Sequence, residues 1–240
     1  MIRVALASVI GAGLVVLAIV WALSLPAAQS TGTAAPAAPV AAEAPPAVTA
    51  PTVTVGVDPA WTASVTASTG IPAVALDAYA LAAIAQAKVT PRCGLGWNTL
   101  AGLGSAESAH GTLGGAYLGE DGQLVGGILG PVLDGTRYNR VSDTDAGALD
   151  GDTTYDRAVG PLQFLPQTWA DFELDGNGDD VADPNNIFDA ARTAAAYLCT
   201  GGRSMATGAA WESGIRSYNP NDSYVGTVLA AANRYATAAG

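Results

Sequence analysis

One carboxylate occupies a position at which a hydrophobic residue is expected. In LAGLGSAESAHG, residues 100–111, Leu100 and Leu103 lie three apart, and Glu107 follows them by seven and four residues. On a helix these positions form one stripe, which normally faces the core. Burial raises the pKa of a carboxyl group, so Glu107 could be a neutral general acid, the group that donates a proton to the leaving oxygen in glycosidic-bond cleavage. The alternative is a frayed last turn that exposes Glu107 to solvent.

A second group of polar side chains has the spacing of a calcium-binding loop. DGNGDDVAD, residues 175–183, resembles the first nine positions of an EF-hand. The ligand positions fall on Asp175, Asn177, Asp179, Val181 (through its carbonyl) and Asp183. Asp180 replaces the usual glycine, and Asn186 replaces the usual glutamate, with Asp189 the nearest carboxylate. The residues predict either a structural calcium site or an acidic turn with Asx hydrogen bonds.

The N-terminus predicts export. An uncharged, mostly apolar run of 22 residues, 4–25, follows Arg3. It is longer than the roughly 7–15 residues of a secretory core and close to the roughly 20 that span a bilayer. Residues 1–25 are therefore expected to be a signal anchor or a signal peptide, and the rest of the chain to be extracytoplasmic, either membrane-anchored or secreted.

Composition divides the exported part in two. Residues 26–68 are rich in proline and alanine and predict a disordered linker. Residues 69–240 predict a single domain. Acidic residues outnumber basic ones 21 to 10 and no Lys/Arg cluster occurs, so nucleic acid is not an expected partner.

The chain contains two cysteines, Cys93 and Cys199. In an oxidising compartment a single pair usually forms one disulfide. Two unpaired buried thiols are the alternative.

Hydrophobic periodicity predicts a mainly α-helical domain with little sheet. Helices are expected over residues 71–88, from about 98 to 110, 161–172, 183–199, 210–216 and 222–235. Asn98 and either Asp222 or Ser223 are the expected N-caps. Residues 111–159 are rich in glycine and aspartate and predict a long functional loop region with a short hairpin around 123–129.

Three motifs, in order, resemble those of lytic transglycosylases. They are ESAHG from Glu107, GPLQFLPQTW over residues 160–169 and SYN over 217–219. The flanking sequence is similar to the membrane-bound murein transglycosylase B type over about residues 70–238, although Leu162 and Ala109 stand where that type often has methionine and glycine. The resemblance implies an α+β, lysozyme-like fold and cleavage of the MurNAc–GlcNAc β-1,4 bond of peptidoglycan, leaving 1,6-anhydromuramoyl ends.

The resemblance also implies a role for each site residue. Glu107 would act as the acid and then as the base, assisted by the substrate's acetamido group. The residues expected to bind the glycan are Ser108, Gln163, Tyr218 and Asn219. Ser108 could instead bond to its own helix, Gln163 lie on a helix surface, and Tyr218 with Asn219 form a plain turn. His110 is expected to be structural. The expected enzyme is a monomer at the cell wall that needs no cofactor beyond the calcium considered above.

Two other functions stay open. In a lysozyme-type muramidase, a second carboxylate would activate water, and the candidates are Asp143, Asp145, Asp150, Asp152 and Asp156. A non-catalytic domain that binds cell-wall glycan is the third reading. The presence of Glu107 together with Gln163 argues against a pure binding domain, because such a domain needs no acid.

Overall fold

The described part of the chain is mainly helical. The computed structural model describes residues 43–52 and 56–239. Its helices are α1 (Pro59–Thr69), α2 (Ala73–Val89), α3 (Trp97–Ser108), α4 (Pro166–Phe172), α5 (Ile187–Leu198), α6 (Gly208–Tyr218) and α7 (Asp222–Ala238). One antiparallel hairpin pairs β1 (Tyr117–Leu118) with β2 (Leu124–Val125). The predicted mainly α-helical class with little sheet is confirmed, and the lysozyme-like class stays a prediction.

Helix α3 is enclosed by its neighbours. It packs chiefly against α7 and also contacts α2 and α5. Trp97, Leu100 and Leu103 are fully buried. Gly102 allows the close approach to α7, since a Cβ at this position would lie 2.9 Å from the carbonyl oxygen of Val228. A helix packed on several sides places even a polar residue of its last turn in the interior.

The prediction of a disordered linker over residues 26–68 is wrong for residues 59–68, which are helical. Helix α1 begins at Pro59, and the Asp58 side chain caps it by accepting a hydrogen bond from the Ala60 amide at 2.9 Å. Trp61 packs edge-on against Trp97, with ring centroids 5.4 Å apart. A tryptophan on the domain surface supplies the apolar burial that the preceding Pro/Ala sequence lacks. The domain therefore begins before residue 69.

Asn98 is not the N-cap of α3. The cap position is Gly96, and Asn98 is fully buried. Its amide nitrogen donates to the carbonyl oxygens of Pro46 and Ala232, at 3.0 and 3.2 Å, and its side-chain oxygen accepts from the Val48 amide at 3.2 Å. Asn98 therefore fixes residues 46–48 to α3 and α7.

The predicted signal anchor or signal peptide, residues 1–25, lies outside the described residues, as does the linker up to residue 42. Among the described residues no single helix is long and apolar enough to cross a membrane. Only α1 and α2 taken together pass that test of length and composition, as a pair bent by 118°.

Several helix boundaries differ from prediction. Asn221, rather than Asp222 or Ser223, caps α7 by accepting hydrogen bonds from the amides of residues 223 and 224. Helix α4 begins at Pro166, because residues 160–164 form a tight turn closed by pairing between Val159 and Phe164. Helix α5 begins at Ile187, because Asn186 is its cap.

The loop region 111–159 is cross-linked by short pairings. Its hairpin spans residues 117–125, earlier than the predicted 123–129. Isolated bridges join Leu129 to Val159 and Ser142 to Tyr155. These pairings attach the region to the turn at 160–164, so it forms a wall beside that turn.

The predicted disulfide is confirmed. Cys93 and Cys199 are bonded, with Cα atoms 5.6 Å apart and a separation of 106 positions in sequence. The bond joins the segment before α3 to the residue that ends α5.

Candidate active site

The Glu107 carboxyl group lies in the interior at the C-terminal end of α3. The residue is 1% exposed, so the frayed-turn alternative is wrong. Its Oε1 accepts a hydrogen bond from the Tyr224 hydroxyl at 2.5 Å. Its Oε2 is buried and has no hydrogen-bond partner among the described residues. An unpaired buried polar atom is costly, and Oε2 is therefore the position at which a proton or a ligand group would be accommodated.

This environment keeps Glu107 protonated at neutral pH. Burial raises the pKa of Glu107 from 4.5 to about 8, and the hydrogen bond from Tyr224 opposes that shift by a smaller amount. Tyr224 lies on α7 and is itself fully buried. Nothing in the sequence indicated Tyr224 as a site residue, because the contact joins residues 117 positions apart.

A pH profile would test this acid. If activity on glycan needs protonated Glu107, kcat/KM should fall as the pH rises through about 8. Tyr224→Phe removes the hydrogen bond that lowers the pKa, so its descending limb should lie at higher pH than that of the parent. Initial rates of the parent and of the variant, measured in buffers from acidic to alkaline pH, locate the descending limb of each profile. A limb in the range of an ordinary glutamate, or one that Tyr224→Phe leaves in place, would contradict this assignment.

Gln163 combines a strained backbone with an unpaired oxygen. Its φ is 50°, in the left-handed region that few residues other than glycine adopt. Its Nε2 donates to the carbonyl oxygens of Gly160 and Ile128, at 2.9 and 3.2 Å. Its Oε1 is buried and lacks a partner among the described residues. The surface-helix alternative is wrong for Gln163, and strain beside an unpaired acceptor is typical of functional sites.

Ser108 and Tyr218 hold the turn that carries Gln163. The Ser108 hydroxyl donates to the Pro161 carbonyl oxygen at 2.6 Å and accepts from the Gly111 amide at 2.7 Å. The Tyr218 hydroxyl donates to the Leu162 carbonyl oxygen at 2.7 Å. The turn is thereby tied to α3 on one side and to α6 on the other. The predicted contact of these two side chains with glycan stays a prediction.

Asn219 ends α6 directly after Tyr218. It is 2% exposed, its backbone amide donates to the Ile215 carbonyl oxygen, and its side-chain oxygen accepts from the Asn221 amide at 3.0 Å. This bond links the SYN motif to the cap of α7, the helix that carries Tyr224.

His110 has the surroundings of a structural residue. Its Nδ1 lies 3.3 Å from the Tyr79 hydroxyl and its Nε2 lies 2.8 Å from the Tyr235 hydroxyl. Burial, with a smaller contribution from the charge of Arg234, lowers the pKa of His110 to about 4. A neutral imidazole between two phenols connects α2 and α7 at the end of α3.

The acidic loop at 175–183 is ordered by its own side chains. Asp175 accepts from the amides of Gly178 and Asp180, at 2.6 and 2.9 Å. Asp189 accepts from the amides of Gly176, Asn177 and Asp183, so it closes the loop. These contacts fit both an Asx-rich turn and a loop arranged for a cation. The calcium site stays a prediction.

The five aspartates considered for a hydrolase organise the loop at 143–157. Each accepts a hydrogen bond from a backbone amide of that loop: Asp143 from residues 145 and 147, Asp145 from 147 and 149, Asp150 from 152 and 157, Asp152 from 154 and 155, and Asp156 from 144. Among the described residues, carboxylate oxygens of Asp143, Asp145 and Asp156 lie within 4.8 Å of one another.

The chain matches no family model, no curated protein and no solved structure. The resemblance to lytic transglycosylases therefore depends on the three motifs and their flanking sequence, and the structure brings residues of all three motifs to one turn. Ser108, the residue after Glu107, and Tyr218 both bind the 160–163 segment through the hydrogen bonds described above.

Proposed function

We propose that this chain is a peptidoglycan lytic transglycosylase in which Glu107 is the general acid and then the general base. The observation that carries the proposal is the Glu107 carboxyl group, which is buried, has a pKa raised to about 8 and has one unpartnered oxygen. The order of the three motifs supports this choice over other reactions that use a single acid. A binding domain would gain nothing from a protonated carboxyl group held at this cost.

In the proposed reaction, Glu107 transfers a proton twice. Glu107 donates its proton to the glycosidic oxygen as the bond from that oxygen to C1 of MurNAc breaks. The substrate's acetamido oxygen stabilises the positive charge that develops at C1. The Glu107 carboxylate then removes the proton from the C6 hydroxyl while O6 bonds to C1. The glutamic acid is regenerated, and no water is consumed.

Tyr224 supports both halves of this cycle. Its hydroxyl donates to Glu107 Oε1 and leaves Oε2 for the proton that is transferred. When Glu107 is a carboxylate, the same hydrogen bond stabilises the buried charge. A buried carboxylate with one strong donor is a competent base, because its pKa stays near neutrality.

The muramidase alternative needs a second carboxylate that activates water. The five candidate aspartates all accept backbone hydrogen bonds within their own loop, which accounts for their presence without a catalytic role. This supports the mechanism with a single acid. The disulfide supports an oxidising, extracytoplasmic location, where wall glycan would be the partner.

The products of digestion test the proposal. Cleavage of purified peptidoglycan in ¹⁸O-water should leave new muramoyl ends that carry no ¹⁸O and that borohydride does not reduce. The intramolecular C6 hydroxyl has an effective concentration far above that of water, so mass spectrometry should show ends lighter by one water than reducing ends. Predominantly labelled, reducible muramic ends would identify a hydrolase instead.

A further inference from the structure

Arg157 is a fixed cation with unused hydrogen-bond donors. Its side chain is half-buried, and its Nε donates to the Gly130 carbonyl oxygen at 2.8 Å. The two terminal nitrogens bond to no group in the described chain, and they are open to solvent. A guanidinium held by Nε presents its terminal N–H groups as a preorganised fork, which matches a carboxylate.

No carboxylate side chain of the described residues pairs with Arg157. The ion pairs of this part of the chain join Arg216 to Glu212 and to Asp222. Asp150 contacts Arg157 only through the backbone amide, at 2.6 Å. In a protein with 21 acidic and 10 basic residues, an arginine left without an acidic partner is available to an external anion.

Arg157 also lies beside the candidate active site. Gly130, whose carbonyl oxygen it binds, donates its own amide hydrogen bond to the Ala158 carbonyl oxygen at 2.8 Å. A Cβ at Gly130 would lie 3.2 Å from the unpartnered Oε1 of Gln163. The free donors of Arg157 and the free acceptor of Gln163 therefore flank the same residue of the wall. A glycan held by Arg157 would therefore lie beside the turn that carries Gln163.

We propose that Arg157 is a specificity residue that binds a carboxylate of the glycan substrate beside Gln163. The inference rests on the proposed function and adds the recognition of an anionic group. MurNAc supplies that chemistry in two forms: the lactyl carboxylate of peptide-free glycan, or the carboxylates of a stem peptide joined to the lactyl group. A chain built from GlcNAc alone has neither, so Arg157 would distinguish wall glycan from chitin.

Binding to the inactive Glu107→Gln protein tests this without cleavage. Calorimetry would compare chitotetraose with a GlcNAc–MurNAc tetrasaccharide whose lactyl carboxylates are free, with its lactyl amide, and with the peptide-bearing form. Adding Arg157→Met should raise the Kd for carboxylate-bearing glycan roughly tenfold and leave the Kd for chitotetraose unchanged. The form that loses affinity, free lactyl or peptide-bearing, identifies the source of the carboxylate.

Arg137→Met is the matched control, since it removes the same charge from an exposed arginine of the same loop region and should change neither affinity. Arg157→Lys, which keeps the charge, should retain part of the preference for anionic glycan. Equal losses on neutral and anionic glycans, or no loss, would overturn the role of Arg157 and leave the proposed function intact. Failure of every glycan to bind the Glu107→Gln parent would overturn both.

Discussion

Glu107→Gln is expected to lower turnover of peptidoglycan by about 10²–10⁴-fold, the usual contribution of general acid–base catalysis. Glutamine keeps the shape of the side chain, and its oxygen can still accept the Tyr224 hydrogen bond. It cannot donate a proton to the leaving oxygen or accept one from the C6 hydroxyl. Release of soluble muropeptides, followed by chromatography, measures the loss. Activity within roughly threefold of the parent would remove Glu107 from the mechanism.

The same variant should be more stable than the parent at alkaline pH. The folded pKa of about 8 exceeds the ordinary 4.5, so between these values the folded state binds a proton that the unfolded state has released. The stability of the parent therefore declines as the pH rises through this window. Glutamine does not titrate, so the variant lacks this pH dependence. Its free energy of unfolding should exceed that of the parent by the order of a few kcal/mol near the top of the window. Melting curves of both proteins at acidic and alkaline pH measure this difference in stability. They also show whether the variant is folded, so that a loss of activity can be assigned to the chemistry.

Removing the disulfide should cause the largest loss of stability. The bond closes a loop of 106 residues, which in the chain-entropy model stabilises the folded state by about 4–5 kcal/mol. Total stabilities of about 5–15 kcal/mol are usual, so a Cys93→Ser/Cys199→Ser double variant should unfold at a much lower urea concentration than the oxidised parent. Equal midpoints would contradict the expected role of the bond.

Two controls accompany that experiment. Intact-mass measurement after alkylation without reduction should show no label on parent protein produced in an oxidising compartment. Reduction of the parent should reproduce the urea midpoint of the double variant, because both remove the same covalent link. A reduced parent that stays as stable as the oxidised protein would assign the loss to the serine substitutions.

The helices were predictable in number and approximate position within residues 69–240, because apolar residues recur at helical spacing in them. Their ends were less predictable. Asn98 has the residue type of an N-cap, yet it is buried and binds Pro46 and Ala232. Helix α1 was missed, because its Pro/Ala surroundings resemble a linker and its packing, such as that of Trp61 against Trp97, involves residues distant in sequence.

The sequence by itself determined that the domain is mainly helical and that one glutamate stands on an apolar stripe, and it favoured a disulfide between the two cysteines. Each of these depends on local spacing or on residue counts. Only the tertiary structure decided what surrounds that glutamate. Tyr224 reaches Glu107 across 117 residues, and Ser108 reaches Pro161 across 53. Such contacts, and the left-handed backbone of Gln163, arise when helices distant in sequence pack together, so no local pattern could indicate them.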